Sequence, residues 1–212
     1  AKSMNVLSLE GLDALMAHID TALADDAVKG AVITSGKDTF AGGMDLNIIA
    51  SMKDSAGDNP AKGLFDGLME FHAKLRKIER AGMDPKTNKG GKPIAAALPG
   101  TALGIGLEIP LACHRIFAAE NPKAKIGLPE IKVGIFPGAG GTTRVSRKLG
   151  AMAASPILLQ GQMMDPKKAK ASGVIDEVVP ADALLSTAKA WVLSATDADI
   201  LKPWDAKGWK MP

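Results

Sequence analysis

Apolar residues along this chain follow two different spacings. Between 8 and 25, Leu12, Leu15, Met16, Ile19 and Leu23 recur at helical intervals behind Ser8. Side chains at that spacing share one face of an α-helix, and a serine in front of it can accept from the free first-turn amides. A second stripe, Leu64, Leu68, Phe71, Leu75 and Ile78, predicts a longer helix over 61–80. Elsewhere the apolar positions are continuous and short. Gly30-Ala-Val-Ile-Thr-Ser35 and Pro93-Ile-Ala-Ala-Ala-Leu98 are flanked by turn residues and read as buried strands. The runs at 115–119 and 124–127 read the same way, as does Val174-Ile-Asp-Glu-Val-Val179. Helices are expected at 140–149, from Pro166 (capped by Asp165) to Gly173, and over 181–194. A short helix is expected over 108–113, with Pro110 confined to its first turn because an interior proline lacks the amide that would donate to the preceding turn. Apolar strands alternating with helices indicate an α/β fold.

The bulk properties narrow the functional classes. The 212 residues are 46% apolar and 23% charged with a net charge of +3, the balance of an ordinary globular domain. Blocks of like charge are absent, which argues against a nucleic-acid partner. No run approaches the ~18 apolar residues of a membrane span. The single cysteine, Cys113, cannot form an internal disulfide, so a reducing, cytoplasmic setting is the expectation. No two histidines or cysteines share a metal-ligand spacing, and metal binding is not expected.

The chemistry concentrates at two glutamates. Glu108 ends Gly100-Thr-Ala-Leu-Gly-Ile-Gly-Leu-Glu108. Glu130 follows Ile126-Gly-Leu-Pro129 and precedes Phe136-Pro-Gly-Ala-Gly-Gly-Thr142. Carboxylates in runs this apolar need a partner or a purpose. The glycines between 100 and 106 admit three readings. They could let a helix pack closely on a sheet, with no chemistry. They could form a dinucleotide-binding turn, but the short-chain dehydrogenases whose spacing this imitates transfer protons through tyrosine, and the chain has none. Or the strand-to-helix turn could expose backbone N–H groups for an oxyanion. Glu108 would then stand beside it to move a proton next to a carbonyl. Phe40-Ala-Gly-Gly-Met-Asp45, another glycine loop entering a helix, could supply a second donor.

Three segments carry a specific resemblance. Phe40-Ala-Gly-Gly-Met-Asp-Leu46, Gly100 to Glu108, and Gly127-Leu-Pro-Glu-Ile-Lys-Val-Gly-Ile-Phe-Pro-Gly-Ala-Gly-Gly-Thr142 resemble the signatures of the enoyl-CoA hydratase/isomerase (crotonase) superfamily. Gly173-Val-Ile-Asp-Glu-Val-Val-Pro180 is similar to a later family segment. Within the family the likeness is to the hydratase part of multifunctional fatty-acid oxidation enzymes. It implies a crotonase-like spiral of ββα units with C-terminal helices over residues 1–195. Residues 196–212, rich in proline, glycine and tryptophan, resemble a linker towards a dehydrogenase part. The family's opening β-hairpin has no counterpart, so the sequence is expected to be a piece of a longer one.

The resemblance also implies the site. Hydration of the 2,3 double bond of a 2-enoyl-CoA would use Glu108 and Glu130, with Glu130 as base on water and Glu108 as proton donor to C2. The amides of Met44 and Ile105 would form the oxyanion hole, and Gly43, Met44, Asp45, Leu46 and Ile105 would bind substrate. Ile105 departs from the family pattern, where glycine is common. A side activity moving the double bond between C3 and C2 is compatible with the same groups. No cofactor is expected here beyond the CoA thioester itself, with NAD only if a dehydrogenase part is attached. Homotrimers or a thiolase-containing complex are the implied assemblies. A non-catalytic acyl-CoA-binding or assembly domain is the alternative function. Asp45 reads more simply as a helix cap, His18 and His72 as ordinary helix residues, and Cys113 with His114 as buried structural groups. Met44, Met52 and Met69 are candidates for an acyl channel, and Lys37, Lys92, Lys123 and Lys125 for CoA phosphates.

Overall fold

The computed structural model describes residues 4–45, 47–48 and 59–212. Helix α1 (Leu9–Ala24) begins where the Ser8 hydroxyl accepts from the Gly11 amide, and it buries Leu12, Met16 and Ile19. Strand β1 (Ala31–Ile33) is followed by α2 (Pro60–Arg80), capped by the Asn59 side chain. Strand β2 (Ile94–Leu98) pairs with β1 on one side and with β4 (Arg115–Ala119) on the other; β4 in turn pairs with β7 (Glu177–Val179). All three pairings are parallel, giving the order β1-β2-β4-β7. Parallel neighbours require crossovers, and the helices between them supply these.

Strand β2 explains its own alanines. Ile94, Ala96 and Leu98 belong to the main core with α1 and α2, whereas Ala95 and Ala97 face Phe117, Leu184, Ala188 and Val192. Both faces are covered, so the apolar run is continuous rather than alternating. The second face is closed by α7 (Leu184–Ser194).

A smaller sheet carries the functional segments. It consists of β3 (Ala102–Leu103), β5 (Ile126–Gly127) and β6 (Met163–Met164), with the last pairing antiparallel. Strands β3 and β6 are two residues long and leave no apolar period to detect. Helix α3 (Ile105–Ala112) follows β3, and α4 (Gly141–Leu149), α5 (Ala151–Leu159) and α6 (Pro166–Ala171) follow β5. Helix α8 (Asp197–Ile200) and a 3-10 turn (Pro203–Asp205) come last.

Three expectations require correction. Helix α3 starts at Ile105, not near 108, because the glycine turn itself is its first turn: the Leu107 and Glu108 amides both donate to the Gly104 carbonyl. Pro110 therefore lies inside the helix, which ends two residues later. Its missing amide costs the one intrahelical bond that would run back to the Gly106 carbonyl. The strand expected over 174–179 is confined to Glu177–Val179, because the Val174 and Ile175 amides both turn back to the Ala169 carbonyl at the end of α6. Helix α5 carries Pro156 internally, in a stretch where the sequence pattern indicates no helix.

Candidate functional site

The loop 40–45 is placed by backbone pairing on both sides. The Phe40 and Ala41 amides donate to the Thr101 carbonyl, and the Leu103 amide donates to that of Ala41. On the other edge Leu7 donates to the Gly43 carbonyl and accepts from the Asp45 amide. In this parallel bridge Leu7 pairs with Met44, so its bonds go to the neighbours and the Met44 amide is not used. The Ile105 amide is likewise free of intrahelical bonding, being in the first turn of α3. Among the described residues neither amide makes a hydrogen bond.

Gly104 brings the next component into reach. Its φ of 57° and ψ of −131° open α3 in a conformation that side-chain-bearing residues avoid. A Cβ built there would lie 3.2 Å from Glu130 Oε1 and 3.7 Å from the Gly43 Cα. The turn thus brings the 42–44 loop, the start of α3 and Glu130 together. Glu130 itself opens a 3-10 turn (Glu130–Val133) after Pro129. The packing reading of the glycines also holds, at a different residue: a Cβ on Gly106 would fall 2.7 Å from the Ala41 carbonyl oxygen.

These residues enclose a cavity of about 480 Å³. Gly43, Met44, Ile105, Glu108 and Glu130 all line it, together with apolar side chains including Leu64, Leu68, Phe71 and Phe136. The front half of the α2 stripe thus faces this cavity, while Leu75 and Ile78 enter the core. Ile105 is buried and also lines the cavity, so the chain accommodates its side chain.

Glu108 is 3% exposed, and its Oε1 accepts from the Gly141 amide at 2.7 Å. Loss of hydration pushes its carboxyl up to about 7, and the nearby charge of Glu130 acts in the same direction. The Gly141 and Ala139 amides and Arg144 oppose it. Burial also raises Glu130, whose Oε2 has no hydrogen-bond partner. An unpaired buried carboxylate oxygen is costly unless a ligand or water completes it. Two carboxyls both raised by burial, with Glu130 raising Glu108 further, suit acid and base roles.

The remaining expectations divide. Asp45 is exposed, and its carboxylate accepts from the Asn47 amide as a cap; it does not line the cavity. Leu46 and Met52 lie outside the described residues. Met69 is exposed and away from the cavity. Lys92 holds the carbonyls of Ala22 and Asp25, and among the described residues the lysine lining the cavity is Lys132. Cys113 is buried, with its thiol pushed up to about 12 by loss of solvent. His114 accepts from the Ile94 amide through Nδ1, which leaves Nε2 to donate to the Glu79 carbonyl. It is neutral and structural, and burial brings it down to about 4. Among the described residues no cluster of metal-ligating side chains occurs, and no helix is long and apolar enough to cross a membrane.

Three supporting residues escaped the sequence reading. His72 contacts the Gly138 carbonyl at 2.8 Å, and Glu79 and Arg144 form a buried pair beside the same loop. Glu79 did leave one signal, as a charge continuing the apolar stripe of Phe71 and Leu75 at intervals of four.

Two buried carboxyls on one apolar cavity, beside two residues whose amides are unused, are the parts of an acid–base enzyme that stabilises an oxyanion. Residues 1–201 match the family model described as enoyl-CoA hydratase/isomerase, and the chain belongs to this family. It is 32% identical over 201 residues to the glyoxysomal fatty acid beta-oxidation multifunctional protein MFP-a of Cucumis sativus, covering 95% of this chain and 25% of that one. It is 34% identical over 194 residues to the fatty acid oxidation complex subunit alpha of Shewanella halifaxensis, covering 91% and 25%. The chain therefore spans about a quarter of the length of these relatives. The crystal structure of an enoyl-CoA hydratase from Bacillus anthracis superposes with a TM-score of 0.71 at 28% identity, covering 90% of this chain and 67% of that one. The crotonase-like α/β fold expected from the sequence is thus the one present.

Proposed function

We propose that this chain is an enoyl-CoA hydratase domain acting in fatty-acid β-oxidation. The observation that carries the reading is that Glu108, Glu130, Met44 and Ile105 line one apolar cavity while the amides of the last two make no hydrogen bond among the described residues. A 2-enoyl thioester placed with its carbonyl oxygen between those amides is electrophilic at C3. Water adds there as the Glu130 carboxylate takes its proton, and the electron pair of the double bond passes to the thioester oxygen. The two amides stabilise that oxyanion; loss of one such donor costs ~10²–10³ in rate. The Glu108 carboxylic acid then protonates C2 and completes the 3-hydroxyacyl thioester. Proton exchange between the two carboxyls resets the site. A Glu108 carboxyl titrating near neutrality suits this donor role.

By the same reading, moving the double bond between C3 and C2 is a side activity using the same enolate. The body up to 195 is the hydratase domain, and 196–212 connects it towards a dehydrogenase part, which would bind the NAD. The proposed partners are acyl-CoA thioesters and the assembly that the Shewanella relative is named for, or a homotrimer, in the cytoplasm.

Turnover of crotonyl-CoA by the wild-type chain, with Glu108→Gln and Glu130→Gln each lowering kcat by at least ~10², is the expected result. Activity unaffected by both changes would reject the site. Calorimetric binding of an acyl-CoA without turnover would favour a non-catalytic binding domain.

A further inference from the structure

Both ends of the Glu108 environment are held by a short segment near residue 204. Lys202 is buried, and its ammonium donates to the carbonyls of Leu111 and Cys113. Those carbonyls close the C-terminal end of α3, where the helix presents partial negative charge. Glu108 stands in the first turn of that same helix.

Asp205 reaches the other side of Glu108 through a chain of charges. Its carboxylate forks onto Arg76, at 2.9 and 2.7 Å. Arg76 also donates to Glu79 Oε2 at 2.8 Å. Glu79 accepts from Arg144 Nε at 3.2 Å and Nη2 at 3.3 Å. The remaining Arg144 nitrogen donates to the Ala139 carbonyl at 3.0 Å. Two residues further on, the Gly141 amide meets Glu108. Arg144 lies so close to this turn that a Cβ on Gly140 would fall 2.4 Å from its Nη1.

Every carboxylate oxygen of Glu79 and Asp205 is therefore occupied, and the buried members are fully paired. Buried ion pairs contribute little net stability but penalise any other arrangement of their partners. The geometry they enforce here is that of the 139–141 turn. Bidentate arginine forks are directional, so each link transmits orientation as well as charge.

We propose that the 202–205 segment is a positioning strap for Glu108: Lys202 fixes the far end of its helix, and Asp205 acts through Arg76, Glu79 and Arg144 on the turn whose Gly141 amide holds its carboxyl. The inference rests on Glu108 being a reactive group. It makes a segment that reads as a connector in the sequence part of the site's support. The charged groups facing Glu108 are Glu130 and Arg144, so a loosened turn changes its titration in a defined direction. Loss of the Gly141 bond or retreat of Arg144 removes an influence that lowers it, and the midpoint rises.

The test uses the whole chain with ¹³C-labelled glutamate carboxyls, Glu108 being assigned by Glu108→Gln. Asp205→Asn is expected to raise the Glu108 midpoint, move the Gly141 amide resonance and, in the turnover assay, lower kcat on the order of tenfold with KM unchanged. That loss is below the ~10² that a 1 Å misplacement costs. Asp205→Glu, which keeps the fork, is expected to restore both signals. Arg144→Met is paired with Glu79→Gln so that no buried charge is stranded, and it gives a larger change of the same sign. If Asp205→Asn lowers the melting temperature and leaves the Glu108 midpoint and Gly141 resonance unmoved, the segment is structural only and the proposal is overturned. If Asp205→Asn moves the Glu108 midpoint and the Gly141 resonance but the wild-type chain hydrates nothing, the strap stands and the hydratase reading is refuted.

Discussion

Glu108→Gln is expected to stabilise the fold at neutral pH while lowering turnover. The carboxyl is 3% exposed and titrates at about 7 instead of its ordinary 4.5. Folding therefore favours its protonated form. Its contribution is fully present below pH 4.5 and is lost as pH rises towards 7, because the folded state must then bury a charge or hold a proton that the unfolded chain has released. At about 1.36 kcal/mol per pH unit, the cost in the wild type above pH 7 reaches about 3 kcal/mol. Glutamine removes the charge and keeps an oxygen to accept from Gly141, at present 2.7 Å from Oε1. Its amide hydrogens do not reproduce the acid's geometry, so the net gain is roughly 2 kcal/mol. In a domain of this size that is about 4–8 °C in melting temperature. Thermal unfolding of both proteins from pH 4 to 8 checks it. The difference between them grows from near zero at pH 4.5 to its full value above pH 7. A variant less stable than wild type at pH 8, or a difference that does not vary with pH, would refute the reasoning that burial dominates at this site. The expected combination, a more stable and less active protein, is what a strained functional group produces.

Other consequences concern the frame around the site. Gly104→Ala sets a Cβ 3.2 Å from Glu130 Oε1 at a positive φ; we expect about 1–3 kcal/mol of destabilisation and a loss of turnover exceeding the loss of folded protein, measured by urea titration beside the assay. Ala97→Val overfills the layer between β2 and α7, where Ala97 is wholly buried, and is expected to cost about 1–3 kcal/mol by the same titration. His114, brought from 6.5 down to about 4, binds fewer protons folded than unfolded. Its contribution is complete above pH 6.5 and is lost as pH falls towards 4, and His114→Gln is expected to flatten that part of the stability profile in acid denaturant titrations.

Much of the local structure could be read directly. The Ser8 and Asp165 caps, the α1 stripe and the buried strand at 94–98 depend on neighbours within a few residues, and each occurs where expected. Glu108 and Glu130 stood out for the same reason, as charges beside glycines in apolar runs. Helix α3 begins earlier than the sequence indicates, since the preference of proline for a first turn makes Pro110 read as a start. In a helix of eight residues it sits just before the end instead.

Sequence alone determined which backbone groups could be strained or free, and which stretches had to be buried, because glycine freedom and apolar period act at short range. Only the tertiary structure decided what the charges do. Glu79 meets Arg144 across 65 residues, and Arg76 meets Asp205 across 129. Nothing in either residue's neighbourhood names its partner. Such pairs form where the packed helices and strands leave two groups facing each other away from water, and that depends on the whole chain having folded first.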